Sequence, residues 1–161
     1  MIGWNNMNRI EFIVKGEPFA KQRPRVVNQG GFARAYTPKE TINYENKVLN
    51  AYLESVKETP NENIIPFEQE PIFCTILATF GLTKGDYGKK GLNKQGRTKI
   101  DGYFCDKHLD SDNIAKVIQD ALNGVAYNDD KQICGLLVIK CWGEVPSVKV
   151  TLENCPRREN V

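Results

Sequence analysis

The sequence predicts an α+β domain, a mixed β-sheet of about four strands packed by two main helices, and three observations predict it. Four short runs are dense in β-branched and aromatic residues: 10–15 (IEFIVK), 71–82 (PIFCTILATFGL), 133–142 (ICGLLVIKCW) and 147–152 (SVKVTL). Two longer stretches, 39–57 and 113–122, carry apolar residues at helical spacing. The chain has 161 residues, 40% of them hydrophobic and 26% charged, which suits one globular domain spanning 1–161 with a real core.

Taken in order, the first strand closes at Gly16 and Pro18. The run Lys21-Gln22-Arg23-Pro24-Arg25 follows. Pro24 biases Arg23 toward extended backbone, where alternate residues share a side, so Lys21, Arg23 and Arg25 form a one-sided basic row suited to a phosphate backbone. The alternative is a solvated loop. Gly30-Gly31 marks a turn, and Thr37-Pro38 reads as N-cap and first position of a helix. Within that helix Ile42, Val48, Leu49, Tyr52, Leu53 and Val56 form the apolar face. Residues 59–70 are a surface connection, and 71–82 a central strand buried on much of both faces.

The most basic segment comes next. Between 84 and 107 stand Lys84, Lys89, Lys90, Lys94, Arg97, Lys99 and Lys107, with only Asp86, Asp101 and Asp106 to oppose them, and five glycines. Few aliphatics are available to order it, so a mobile loop is expected, either a solvated insertion or an arm that orders on a polyanion. Tyr87 and Tyr103 can stack on unpaired bases. The last two strands are joined by a hairpin turn over 143–146, and 156–161 is expected to fray. The coarse order is β, helix, β, basic loop, helix, β, β.

The chemistry gathers between Leu109 and Asp130, LDSDNIAKVIQDALNGVAYNDD. Clustered carboxylates repel, so a fold keeps them to cap backbone, pair with bases or hold a cation. An extended approach to the helix turns Asp110 and Asp112 to one side. Ile114, Val117, Ile118, Ala121 and Leu122 fit one helical face; Asp112, Lys116 and Asp120 lie four apart on another, and Asn123-Gly124 stops the helix. Asp129 and Asp130 precede the next strand, and one of them completes the cluster if that strand lies beside the one leading to the first pair. An oxygen-only site of this kind suits Mg²⁺ or Mn²⁺, which acidifies water and stabilises phosphoryl charge. Lys116 is placed to orient a nucleophile or stabilise the pentavalent phosphate.

Each residue also has a structural reading: Asp110 or Asp112 as a helix cap, Asp112/Lys116 as a surface ion pair, Asn128-Asp129 as turn chemistry, and His108, the sole histidine, as incidental. The conjunction of DxDN, Lys one turn on, DALNG and DD within 21 residues is far more specific than any part.

Those residues, with Gly16-x-Pro18, KQRPR, Tyr36-Thr37-Pro38 and Asp129-Asp130-Lys131-Gln132-Ile133, resemble the RusA-type Holliday junction resolvases, small endodeoxyribonucleases of bacteria and their phages. The resemblance spans nearly the whole chain. It implies a Mg²⁺-dependent homodimer that cuts branched DNA, with Mn²⁺ substituting. It also implies functional carboxylates at Asp110, Asp112 and Asp130, an essential lysine at Lys116, and support from Asp129 and Asp120. Asp130 rather than Asp129 is chosen as the nearer ligand. Paired nicks at a four-way junction would leave 5′-phosphate and 3′-hydroxyl ends. This chain departs from the pattern in carrying less charge just before DxDN (Asp106-Lys107-His108-Leu109). Lys89, Lys90, Lys94, Arg97, Lys99 and Lys107, with Lys21, Arg23 and Arg25, are then the expected DNA contacts. A broader branched or flap nuclease, and a non-catalytic DNA-binding protein, are the competing expectations.

Composition bounds the rest. The formal net charge is only +2, so partners are read from where charge lies. Five cysteines, odd in number and without zinc spacing, fit a reducing cytoplasm. No secretion signal and no membrane span is expected.

Overall fold

The computed structural model describes residues 8–57, 67–106 and 108–155. Lys107, the 156–161 tail and most of the 59–70 connection lie outside the described residues. In chain order the elements are β1 (Arg9–Lys15), β2 (Arg25–Gln29), β3 (Phe32–Tyr36), α1 (Lys39–Lys57) and β4 (Ile72–Gly81). A 3₁₀ turn at Lys84–Asp86 leads to β5 (Tyr87–Gly88), β6 (Gly91–Leu92), α2 (Lys94–Gly102) and α3 (Ser111–Leu122). A second 3₁₀ turn, Asp130–Gln132, opens into β7 (Ile133–Gly143) and β8 (Ser147–Asn154).

The α+β expectation holds: one four-stranded mixed sheet, ordered β1-β8-β4-β7, carries the fold. β4 alternates strictly, sending Ile72, Cys74, Ile76, Ala78 and Phe80 inward. Beneath them α3 buries Ile114, Ala115, Val117, Ile118 and Leu122, and α1 buries Thr41, Tyr44, Val48 and Tyr52. The α1 stripe differs from the expected one, because Ile42 and Leu53 stand exposed while Tyr44 turns in to stack on Phe19 at 5.1 Å.

Sheet order departs from the sequence reading. β7 and β8 are not a hairpin, since β4 lies between them, parallel to β7 and antiparallel to β8. β8 is hydrogen-bonded to β1 along one edge and β4 along the other, and its Val148, Val150 and Leu152 are fully buried on the face they share. The link 144–146 therefore crosses two strand spacings, about 10 Å, within the reach of three extended residues. Pro146 lands on the end of β1, its carbonyl accepting from the Gly16 N–H at 3.0 Å.

Parallel neighbours β4 and β7 need a crossover, and α3 provides it. The helix must start where β4 finishes and end where β7 begins. That rule decides where every acidic residue of the motif can go.

Where a mobile loop is expected over 84–107, the described part folds. Its centre is a carboxylate rather than an apolar cluster. Asp86 is buried, and one carboxylate oxygen accepts from the Thr83 N–H (2.8 Å), the Thr83 hydroxyl (2.9 Å) and the Lys99 ammonium (2.8 Å). Asn93 caps α2 by accepting from the Gly96 N–H at 3.0 Å and ties back to the Gly85 carbonyl at 2.7 Å. Gly96 is buried so tightly that a Cβ there would stand 2.3 Å from the Asp86 carbonyl oxygen. Gly96→Ala is accordingly expected to cost about 1–3 kcal/mol, read as a fall in Tm of about 2–4 °C per kcal/mol.

Candidate active site

The approach to α3 is held from both sides of the β4 and β7 ends. The Trp142 N–H donates to the Tyr103 carbonyl at 2.7 Å, the Cys105 N–H to the Lys140 carbonyl at 2.9 Å, and the Lys140 ammonium to the Leu109 carbonyl at 2.9 Å. Tyr103 and His108 adopt left-handed backbone (φ 59° and 64°), uncommon for residues with a Cβ. The His108 ring stacks on Phe80 at 5.3 Å and meets Trp142 edge-on at 5.4 Å. His108 thus serves as a wedge that aims the chain into Asp110.

Asp110 is the N-cap residue of α3, yet its side chain makes no cap hydrogen bond; the Asn113 amide donates to it at 3.5 Å. Capping therefore does not explain this carboxylate. Asp112 in the first turn and Lys116 one turn on are both exposed. The alternative reading of Asp112 and Lys116 as a surface ion pair finds no such pair among the described residues.

Asp129 and Asp130 lie elsewhere. α3 has 12 residues, about 18 Å of helix, and they follow its far end, where β7 begins. Asn128 donates to the Glu68 carbonyl (2.6 Å) and Gln132 to those of Phe67 (2.9 Å) and Glu70 (3.1 Å), tying this turn to the chain entering β4. Convergence of the two aspartate pairs, expected if the two strands are neighbours, does not occur within one chain. The strands are neighbours but parallel, so the entry to one and the exit of the other lie at opposite ends. Among the described residues no group of three His, Cys, Asp or Glu could hold a metal ion.

The late pair divides by role. Asp129 caps the 3₁₀ turn, accepting from the Lys131 N–H at 3.0 Å while its own N–H donates to Gln132 at 3.0 Å, and its carboxylate pairs with the Lys131 ammonium at 3.0 Å. The Lys131 backbone N–H, then its side chain, hold the Asp129 carboxyl below its ordinary value. Asp130 remains exposed.

The cations sort just as unevenly. Lys21 does not join a free basic row: its ammonium pairs with Asp120 and, at 3.4 Å, with Glu45, and its N–H donates to the Asn113 carbonyl at 2.9 Å. Burial alone would lower the Lys21 pKa, but Asp120 and Glu45 outweigh it and raise it. Lys99 is likewise turned in, bridging Asp86 and sitting 4.5 Å over the Trp142 ring. Lys89 and Lys90 form the tip of the β5–β6 hairpin; they, Lys94, Arg97, Arg23 and Arg25 are exposed. The segment 84–106 follows the end of β4, and the Lys21 backbone is bound at the first turn of α3. Exposed cations and the Asp110–Asp112 pair therefore share the carboxyl-terminal end of the parallel strands, where open α/β sheets bind ligands.

The Lys99–Asp86 tie has a pH signature. Lys99, then the Thr83 N–H, lower the Asp86 pKa from its ordinary 3.8. A depressed carboxyl contributes stability that is present above the ordinary value and lost as pH falls through the folded one. Acid below about pH 4 should loosen the insertion, seen as a change in Trp142 fluorescence that Lys99→Met removes.

The sequence offered no sign of the Lys21–Asp120 pair or of the buried Asp86. The β2–β3 ribbon did have a signal: Gly30-Gly31 between RVVNQ and FARAY is hairpin chemistry.

The chain is 28% identical over 146 residues to the uncharacterized protein YqaN of Bacillus subtilis (strain 168), covering 91% of this chain and 96% of that one. No helix among the described residues is long and apolar enough to cross a membrane. The profile described as Endodeoxyribonuclease RusA matches residues 15–153, nearly all of the described fold including both ends of α3, and the chain belongs to that family of endodeoxyribonucleases.

Proposed function

We propose that this chain resolves four-way DNA junctions by paired symmetric nicks in recombination and repair, as a Mg²⁺-dependent homodimer whose catalytic centre is shared between two copies. The observation that carries this reading is the Asp110–Asp112 pair, free of any cap bond, standing with Lys116 at the same end of the fold as the exposed cations.

The donor set fits the cation. Asp110 and Asp112 offer only oxygen, and Mg²⁺ is commonly held by one or two carboxylates with water and substrate phosphates; Mn²⁺ accepts the same donors. A bound divalent ion would supply an acidified water and neutralise charge on the phosphoryl oxygens. Lys116, exposed one turn beyond Asp112, would face the same phosphate and steady the negative charge that builds during attack.

Topology supports the sharing. A two-fold axis normal to the sheet opposes the strand starts of one copy to the strand ends of the other, so the partner subunit's Asp130 would approach this chain's Asp110 and Asp112. Exposed apolar side chains lie near this edge: Leu136 and Leu137 on opposite faces of the edge strand β7, and Phe73 on the neighbouring β4. An uncovered apolar edge strand is ordinarily paired or shielded. Two equivalent centres related by a two-fold axis match a junction whose opposed strands are so related.

Incubating the protein with a synthetic junction, a flap and a linear duplex tests the reading. It predicts symmetric nicks in the junction with Mg²⁺ or Mn²⁺ and none in EDTA. Equal cutting of all three substrates would contradict junction selectivity and leave a broader nuclease. Binding without cleavage in any divalent ion would leave a DNA-binding protein.

A further inference from the structure

We propose that the β2–β3 hairpin is a DNA-binding ribbon whose arginine-and-aromatic face grips the strands at the branch point. The proposal rests on the reading above, that the chain acts on branched DNA, and adds how that DNA is held.

The ribbon is anchored at the acidic centre. Four residues before Arg25, the Lys21 N–H is bonded to Asn113, beside Asp112, and its ammonium is fastened to Asp120 and Glu45. β2 and β3 then project together. Every residue of β3 is exposed, and a Cβ built on Gly30 or Gly31 at the tip meets nothing within 4 Å. Both glycines have positive φ (63° and 85°), as a tight two-residue hairpin turn requires. At about 3.4 Å per residue, a five-residue strand beyond a four-residue anchor spans up to about 30 Å of extended chain, long enough to reach across a duplex.

Register makes the two faces unequal. Directly opposed pairs share a face, so Arg25/Tyr36, Val27/Arg34 and Phe32 fall on one side, and Val26/Ala35 and Asn28/Ala33 on the other. One side thus carries both arginines and both aromatics, the other Val26, Asn28 and two alanines, with no charge. Phe32, at the tip, is 80% exposed. An isolated two-stranded ribbon is marginal in water, so one this exposed implies a partner.

Charge selects that partner. Between Glu17 and Glu40 the chain carries Lys21, Arg23, Arg25, Arg34 and Lys39 and no acidic residue. A self-contact between identical ribbons would oppose like charges, whereas DNA supplies the counter-charge. A two-stranded ribbon fits a DNA groove, arginines meet phosphates, and an exposed ring stacks on an unpaired base of any identity. Unpaired or easily opened bases are what a branch point has and a duplex lacks.

The test is equilibrium binding of the full chain, in EDTA so that nothing is cut, to a four-way junction and to a duplex carrying 2-aminopurine at matching positions. Arg25→Ala/Arg34→Ala should weaken both substrates and lower the slope of log affinity against log salt by about one per arginine. Phe32→Ala should weaken the junction about tenfold, a typical loss for one stacked base, with little effect on duplex, and abolish the 2-aminopurine change. Phe32→Tyr should restore both, whereas Phe32→Leu, equally foldable and unable to stack, should not. Asn28→Ala, on the other face, should bind as wild type. Wild-type binding of the junction with all hairpin variants unchanged would overturn the ribbon and leave the junction reading standing. A change of oligomeric state in the Phe32 variants, with unaltered DNA binding at equal dimer concentration, would make the hairpin a subunit contact and also overturn it. Failure of the wild type to bind any junction would remove the reading on which the proposal rests.

Discussion

Asp112→Asn is expected to reduce junction cleavage by about 10²–10³-fold or more, the scale for removing one group that stabilises charge at a reacting centre, while leaving junction binding in EDTA within about twofold. The side chain is exposed in the first turn of α3 and caps nothing, so the amide keeps shape and helix while removing the negative charge. Asp110→Asn should behave alike, because the Asp110 carboxylate also makes no cap bond. Single-turnover cleavage beside anisotropy binding measures both quantities. Unchanged cleavage in Asp112→Asn would remove the assigned centre; parallel loss of binding and cleavage would make the carboxylate structural.

Asp130→Asn is expected to be nearly as damaging, although Asp130 stands about 18 Å of helix away from Asp110 in the same chain. Nothing local accounts for such a loss. Asp129 next to it does the capping, and Asp130 is exposed. Asp129→Asn should instead lower stability with a smaller effect on chemistry, since the cap and its Lys131 pair are what it supplies. Comparing the thermal midpoints and cleavage rates of the two neighbours separates these roles. An Asp130→Asn protein with wild-type cleavage would confine the centre to Asp110, Asp112 and Lys116.

The elements were legible where local pattern decides them. β4 and α3 announce themselves by alternation and by helical spacing, and the DxDN, lysine, DALNG and DD signature leads to the family that the whole-chain comparison supports. What the sequence concealed was set by distant partners. β8 reads as the second arm of a hairpin, but its two buried edges place it between β1 and β4, and no local residue records that. The basic segment reads as unstructured because it lacks aliphatics, whereas one buried carboxylate with Thr83 and Lys99 folds it. Lys21 reads as a free cation, yet its partner Asp120 lies 99 residues away. Convergence of the two aspartate pairs within one chain follows from strand adjacency alone; the parallel direction of β4 and β7 separates them.

Complementation between inactive subunits tests that shared centre most directly. Asp112→Asn and Asp130→Asn proteins are purified separately, mixed after unfolding and refolding so that subunits exchange, and assayed on the junction. If each centre takes Asp110 and Asp112 from one subunit and Asp130 from the other, every mixed dimer has one doubly substituted centre and one native centre. Single-strand nicking should then return to roughly a quarter of the wild-type centres at equal mixing, by the statistics of a two-fold dimer, without paired nicks. If all three carboxylates acted within one chain, no mixed dimer would hold a native centre. The mixture would stay as inactive as its parents, and the shared centre would be contradicted.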